Sequence, residues 1–199
     1  MFDSSFGWRF INPKMKEMYG TDGMGETAEN LRERDKISRE DQDKFALWSH
    51  QKATAAQKKG RFKKEIIGVE IPQKKGEIKL FENDEFIKPD TSMEILSKLK
   101  AAFRKDGTVT AGNSSGLNDG ACAILLASED AIKKYNLKPK ARIVSSGVVG
   151  VEPRIMGIGP VEASNRALKK AGLTWKDIDI IELNEAFSAQ SLVCTRLWG

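Results

Sequence analysis

Thr110-Ala111-Gly112-Asn113-Ser114-Ser115-Gly116-Leu117-Asn118-Asp119-Gly120-Ala121 runs almost directly into the apolar stretch Ala123-Ile124-Leu125-Leu126-Ala127. Gly112, Gly116 and Gly120 permit backbone conformations closed to other residues and let a second group approach the main chain, while Asn113, Ser114, Ser115, Asn118 and Asp119 supply hydrogen-bonding atoms. Such a loop suits a polar ligand, although the same residues also make ordinary turns. No Gly-Lys-Ser/Thr follows, so it is not a phosphate loop, and its spacing is not that of Gly-x-Gly-x-x-Gly.

Outward from the loop, Ala123 to Ser128 reads as a buried strand and Glu129 to Tyr135 as a helix, with Pro139 marking a domain boundary. Beyond it, Ala141 to Val149 is strand-like, and Val161 to Ala171 is a helix stopped by Gly172. Thr174 caps a short turn through Asp177, and Ile178 to Leu183 reads as another buried strand. This β, α, β order favours a crossover unit in a layered α/β domain, with Asn184 just past the carboxyl end of the last strand, where open sheets tend to bind ligands. Before the loop, Phe6 to Pro13 is an aromatic loop or short strand leading to a helix at Lys14 to Tyr19. Helices are expected from Thr27 to Arg34, from a Ser38 cap with Asp41 three residues on to Gly60, and from a cap at Thr91 or Ser92 through Met93 to Phe103. Ile66 to Pro72 and Glu77 to Glu82 form a hairpin about Gln73 to Gly76.

A chain of 199 residues supports one or two domains with a core, and no apolar run approaches the roughly 20 residues that cross a bilayer. The first residues lack a basic start and an apolar centre, so no secretory signal is expected. Two cysteines, Cys122 and Cys194, are too few for a disulfide framework or metal cluster; a reduced, cytoplasmic setting is the default, and both read as small core residues. The net charge of +5 is spread among acids rather than gathered with aromatics, which points to a solvated surface instead of a nucleic-acid interface. His50, the single histidine, reads as a packing residue on its helix.

Four strings occur in one order: Gly23-Met-Gly-Glu-Thr-Ala-Glu-Asn30, Ala111 to Ala121, Gly157-Ile-Gly-Pro160 and Asn184-Glu-Ala-Phe-Ser-Ala-Gln190. Together they resemble a thiolase, over nearly the whole chain but only the middle of such an enzyme. The wording near Phe6 to Pro13 is similar to the 3-oxoadipyl-CoA thiolases. The resemblance implies an incomplete, layered αβαβα fold with an inserted, mainly helical loop domain. Residues 1–117 would belong to the insertion that covers coenzyme A and helps build a tetramer. Residues 118–138 would end the N-terminal core, and 139–199 would begin the C-terminal domain.

The resemblance also implies Claisen chemistry on a 3-oxoacyl-CoA, with coenzyme A as substrate, no tightly bound cofactor, no metal and no nucleic-acid or membrane partner. In family order the nucleophilic cysteine would precede Met1, and the Gly-His-Pro histidine and Cys-x-Gly cysteine would follow Gly199. What matches here is the supporting shell. Asn184 corresponds to the asparagine holding an oxyanion-hole water, and Ser115 to the serine contacting the pantetheine arm. Phe103, Ala186 and Phe187 correspond to cofactor contacts, Lys88 to a basic residue near the nucleotide, and Met24 and Met156 to walls of the acyl pocket. For Asn184 a strand-end cap, and for the apolar residues a core role, remain the alternatives. A natively short, catalytically silent CoA-binding or assembly protein is the competing function.

Overall fold

The computed structural model describes residues 8–199. Asn12 caps the first helix, α1 (Pro13–Tyr19), with its side chain accepting from the Lys14 amide at 3.0 Å. Trp8 to Asn12 forms the anticipated irregular lead-in and Pro13 already opens the helix, while Phe6 and Gly7 lie outside the described residues. The helix expected from Thr27 begins three residues earlier as α2 (Met24–Arg34), because Gly23 serves as its N-cap and the Thr27 hydroxyl donates to the Met24 carbonyl at 2.7 Å. In α3 (Arg39–Lys58) the Ser38 side chain accepts from the Asp41 amide at 3.0 Å, and Gly60 turns left-handed beyond its end.

Next comes an antiparallel hairpin of β1 (Val69–Pro72) and β2 (Ile78–Phe81), paired Val69 to Phe81 and Pro72 to Ile78. Its residues are exposed on both faces. A two-stranded ribbon of that kind is marginal on its own in water.

Ser92 caps α4 (Met93–Ser97), which is much shorter than the helix to Phe103 that the apolar spacing suggests. Arg39 explains the early stop. Its guanidinium donates to the Leu96 and Leu99 carbonyls at 2.6 and 2.9 Å, satisfying acceptors that a further turn would otherwise use. The chain then folds back, with the Ala102 amide donating to the Val109 carbonyl at 2.9 Å.

Helices α5 (Glu129–Tyr135) and α6 (Gly159–Ala171) form where expected, capped respectively by Ser128 and ended by Gly172 at φ +69°. The Thr174 and Asp177 side chains close a reciprocal capping box around a short 3₁₀ turn. The final helix, α7 (Ser188–Trp198), buries Ala189, Val193 and Cys194 against α2 and α3. Leu31, Ile37 and Val193 form the centre of the core, with Ile155, Ile158 and Leu192 packed around them.

The three strands expected at 123–128, 141–149 and 178–183 are not formed. Their backbone is extended or irregular, and the apolar side chains face outward: Leu125 is 81% exposed, Val148 82% and Ile180 79%. A strand exists only through its ladder, and these segments find no ladder partner among the described residues. The crossover sheet inferred from their order is therefore absent among the described residues. Segment 141–149 instead lies along α6, where Ser145 Oγ donates to the Ala167 carbonyl at 2.7 Å and Arg166 Nη1 to the Val148 carbonyl at 3.1 Å. Among the described residues, no helix is long and apolar enough to cross a membrane.

Candidate functional site

The glycine-rich loop is held by a buried polar network. Asn113, 3% exposed, accepts from the Thr110 amide through Oδ1 at 2.8 Å and donates from Nδ2 to Asp43 Oδ1 at 2.9 Å. Asp43 is itself buried and paired with Arg39 at 2.8 Å, so the loop is anchored to α3 by a compensated charge. Glu29 of α2, fully buried, accepts from the Thr108 and Val109 amides, each at 2.8 Å, and pairs with Arg32 at 2.9 Å. These carboxylates satisfy donors that would otherwise be stranded away from water.

Main-chain pairing then docks the loop onto the Asn184 motif. The Ser115 amide donates to the Ala186 carbonyl at 2.9 Å, the Ser188 amide donates to the Asn113 carbonyl at 2.9 Å, and Ser114 bridges Phe187. The loop glycines act here by close approach rather than by unusual dihedrals. A Cβ on Gly112 would lie 2.5 Å from Leu99, and one on Gly116 would lie 2.5 Å from the Phe86 ring; neither residue takes a positive φ. Around Gly120 there is open space.

The result is an open groove of about 510 Å³. Ser115 and Asn184, singled out 69 positions apart in sequence, both line it. Ala186, Phe187 and Phe103 are off the lining: the Ala186 carbonyl accepts from the Ser115 amide, and Phe187 meets Phe103 edge-to-face at 6.0 Å. The Phe103 ring rests on the backbone of Gly25, beside Met24. Neither Met24, 58% exposed at the start of α2, nor Met156, half exposed in the 3₁₀ turn Pro153–Ile158, lines the groove. Lys88 is also off the lining, but it follows the lining residues Phe86 and Ile87, and its amide donates to His50 Nδ1 at 3.2 Å.

Ser49, His50 and Glu185 line the groove and were not anticipated there. Ser49 Oγ donates to Glu185 Oε2, Lys52 Nζ lies 3.8 Å from Glu185 Oε1, and His50 lines the groove instead of serving only as packing. The signal was present in the sequence. Ala46, Ser49, His50 and Ala53 recur at helical spacing and share one face of α3, the face that lines the groove. Burial, followed by the nearby Lys88 charge, lowers the His50 pKa below its ordinary value, against an opposing effect of Glu185. The cysteines differ from expectation as well. Cys194 is buried and donates to the Gly157 carbonyl at 3.3 Å, whereas Cys122 is exposed, because the strand that was to bury it is not formed. No cluster of His, Cys, Asp and Glu suited to a metal ion is found among the described residues.

Residues 9–130 match the thiolase N-terminal domain, and residues 137–199 match the thiolase C-terminal domain. The chain belongs to the thiolase family. It is 55% identical over 197 residues to the beta-ketoadipyl-CoA thiolase of Acinetobacter baylyi, covering 99% of this chain and 49% of that one. With the 3-oxoadipyl-CoA/3-oxo-5,6-dehydrosuberyl-CoA thiolase of Escherichia coli it shares 52% identity, over 100% of this chain and 50% of that one. The crystal structure of the Bacillus anthracis acetyl-CoA acetyltransferase superposes with a TM-score of 0.87 at 41% identity, over 100% of this chain and 52% of that one. The human mitochondrial 3-ketoacyl-CoA thiolase in complex with CoA gives 0.81 at 52% identity, over 87% and 42% respectively. This thiolase chain thus spans about half the length of the curated relatives it matches. Its fold is that of an incomplete thiolase α/β architecture with a mainly helical first part.

Proposed function

We propose that this chain forms the coenzyme A-binding part of a thiolase that cleaves or builds a 3-oxoacyl-CoA, with 3-oxoadipyl-CoA as the first substrate to test. The observation that supports this reading is the convergence of Ser115 and Asn184 on one groove, built by main-chain pairing between their two loops. Ser115 presents a hydroxyl suited to an amide of the pantetheine arm. Asn184 presents a neutral amide whose N–H groups can hold a water at the thioester oxygen, stabilising developing negative charge without surrendering a proton.

The remaining chemistry needs a thiolate to take the acyl group, a base to activate it and a second thiol to exchange a proton with the substrate carbon. The sequence holds no Gly-His-Pro and no Cys-x-Gly string. Buried Cys194, whose thiol pKa is raised above its ordinary value by burial, is unsuited to be the nucleophile. We therefore assign those groups to polypeptide outside this chain, and the same polypeptide would supply ladder partners for segments 123–128, 141–149 and 178–183. Assembly into a homo-oligomer through residues 1–117 belongs to the same proposal.

Assays of CoA-dependent cleavage of 3-oxoadipyl-CoA and acetoacetyl-CoA test it. The chain alone should show binding of coenzyme A without turnover, and turnover should appear once the missing thiolase segments are supplied in cis or in trans. In that complete enzyme Asn184→Ala should lower kcat by about 10²-fold or more; unchanged kcat removes Asn184 from the mechanism. The alternative, a CoA-binding or assembly protein without catalysis, is favoured by the absence of the two catalytic strings, and it requires that no supplied segment restores turnover.

A further inference from the structure

We propose that His50 is a positioning residue that latches the groove's outer rim, residues 85–88, onto α3, and that its protonation releases the rim and weakens coenzyme A binding. The inference rests on the coenzyme A reading above. Its basis is the direction of one hydrogen bond. Nδ1 of His50 accepts from the Lys88 amide at 3.2 Å, and the imidazole lies beside the Phe86 ring with centroids 6.4 Å apart. Phe86 in turn lies directly over the backbone of Gly116, next to Ser115. His50 therefore connects α3, the rim and the glycine-rich loop at a single point.

A neutral imidazole has one accepting nitrogen, and an imidazolium has none. Protonation not only removes the acceptor for the Lys88 amide but sets a second N–H against it. The groups facing His50 are Lys88 on the rim and Glu185 on the opposite wall. Glu185 is engaged by Ser49 and by Lys52, both on α3, and Glu85 on the rim lies 3.7 Å from Lys79 of the hairpin. Burial and Lys88 disfavour the charged ring more than Glu185 favours it, so the folded chain takes up this proton below the ordinary value of 6.5. The unfolded chain binds it first as pH falls. The latch is consequently whole above about pH 6.5 and is lost as pH drops through the lower folded-state value.

Because the chain contains a single histidine, ¹H–¹⁵N correlation spectra report its ring nitrogens without ambiguity. The latch requires the Nε2–H tautomer at neutral pH, a titration midpoint below 6.5 and a Lys88 amide resonance that moves with the same midpoint. An Nδ1–H tautomer, or a Lys88 amide indifferent to the titration, overturns it. Calorimetric titration with coenzyme A supplies the functional arm. His50→Asn keeps an accepting oxygen near the Nδ1 position and does not titrate, whereas His50→Phe has no acceptor. Between about pH 7.5 and about pH 5.5 the wild-type chain should lose roughly three- to tenfold more affinity than His50→Asn, and His50→Phe should be weaker by a similar factor already at the higher pH. Comparison with His50→Asn removes the titration of the ligand's own phosphate near about 6. Identical pH profiles for wild type and His50→Asn overturn the proposal. If no variant binds coenzyme A at any pH, the coenzyme A reading fails instead, and the tautomer still decides whether the latch exists.

Discussion

Single side chains hold the site through burial and compensation. Glu29 is the clearest case, since one fully buried carboxylate serves two backbone amides and one guanidinium. Glu29→Ala should destabilise the chain by about 3 kcal/mol, whereas Glu29→Gln, which keeps an accepting oxygen for the amides but loses the Arg32 pair, should cost about half as much. Urea melts of the two variants check that order, and equal losses would show that the amides do not depend on this acceptor. The cysteines give a second test. Iodoacetamide at neutral pH should modify exposed Cys122 in the native chain and reach buried Cys194 only on unfolding. Rapid labelling of both thiols would place Cys194 outside the core.

Elements with local signals were legible from the sequence, and elements that depend on distant partners were not. Ser38 and Thr174 as caps, Gly172 as a stop and Gln73 to Gly76 as a connection act within a few residues, and each stands where expected. Helix α4 was overestimated because nothing near Leu99 announces that Arg39, 60 positions away, takes its carbonyl. The strand-like segments were misjudged for a related reason: apolar β-rich composition describes a pleated surface with neighbours, and those neighbours are not among the described residues. In the groove, Ser115 and Asn184 are singled out by their motifs, whereas His50, on the α3 face that also carries Ser49, reads from sequence as packing. Leu125→Lys, at an 81% exposed position, should therefore leave stability within about 0.5 kcal/mol, while Leu31→Ala in the core should cost about 2–5 kcal/mol. A large loss from Leu125→Lys would mean that segment 123–128 is already packed.

At the scale of the whole molecule, a small helical core around Leu31, Ile37 and Val193 carries three uncovered apolar segments. Such surface favours association. The isolated chain should self-associate or depend on partner polypeptide, and sedimentation across a concentration series checks this. A strictly monomeric species with a single cooperative melt would contradict it. The proposed function depends on the groove, which has a physical competitor. A shallow basic face at the C-terminal end of α3, formed by Lys52, Lys59 and Arg61, would attract any phosphate without regard to the rest of the ligand. The decisive measurement is a titration of the chain with coenzyme A, followed through backbone amide shifts. Shifts concentrated at 112–116 and 184–188, saturating together and reduced by Ser115→Ala, would show the groove at work; no shifts there, or shifts confined to the Lys52, Lys59 and Arg61 face, would refute it.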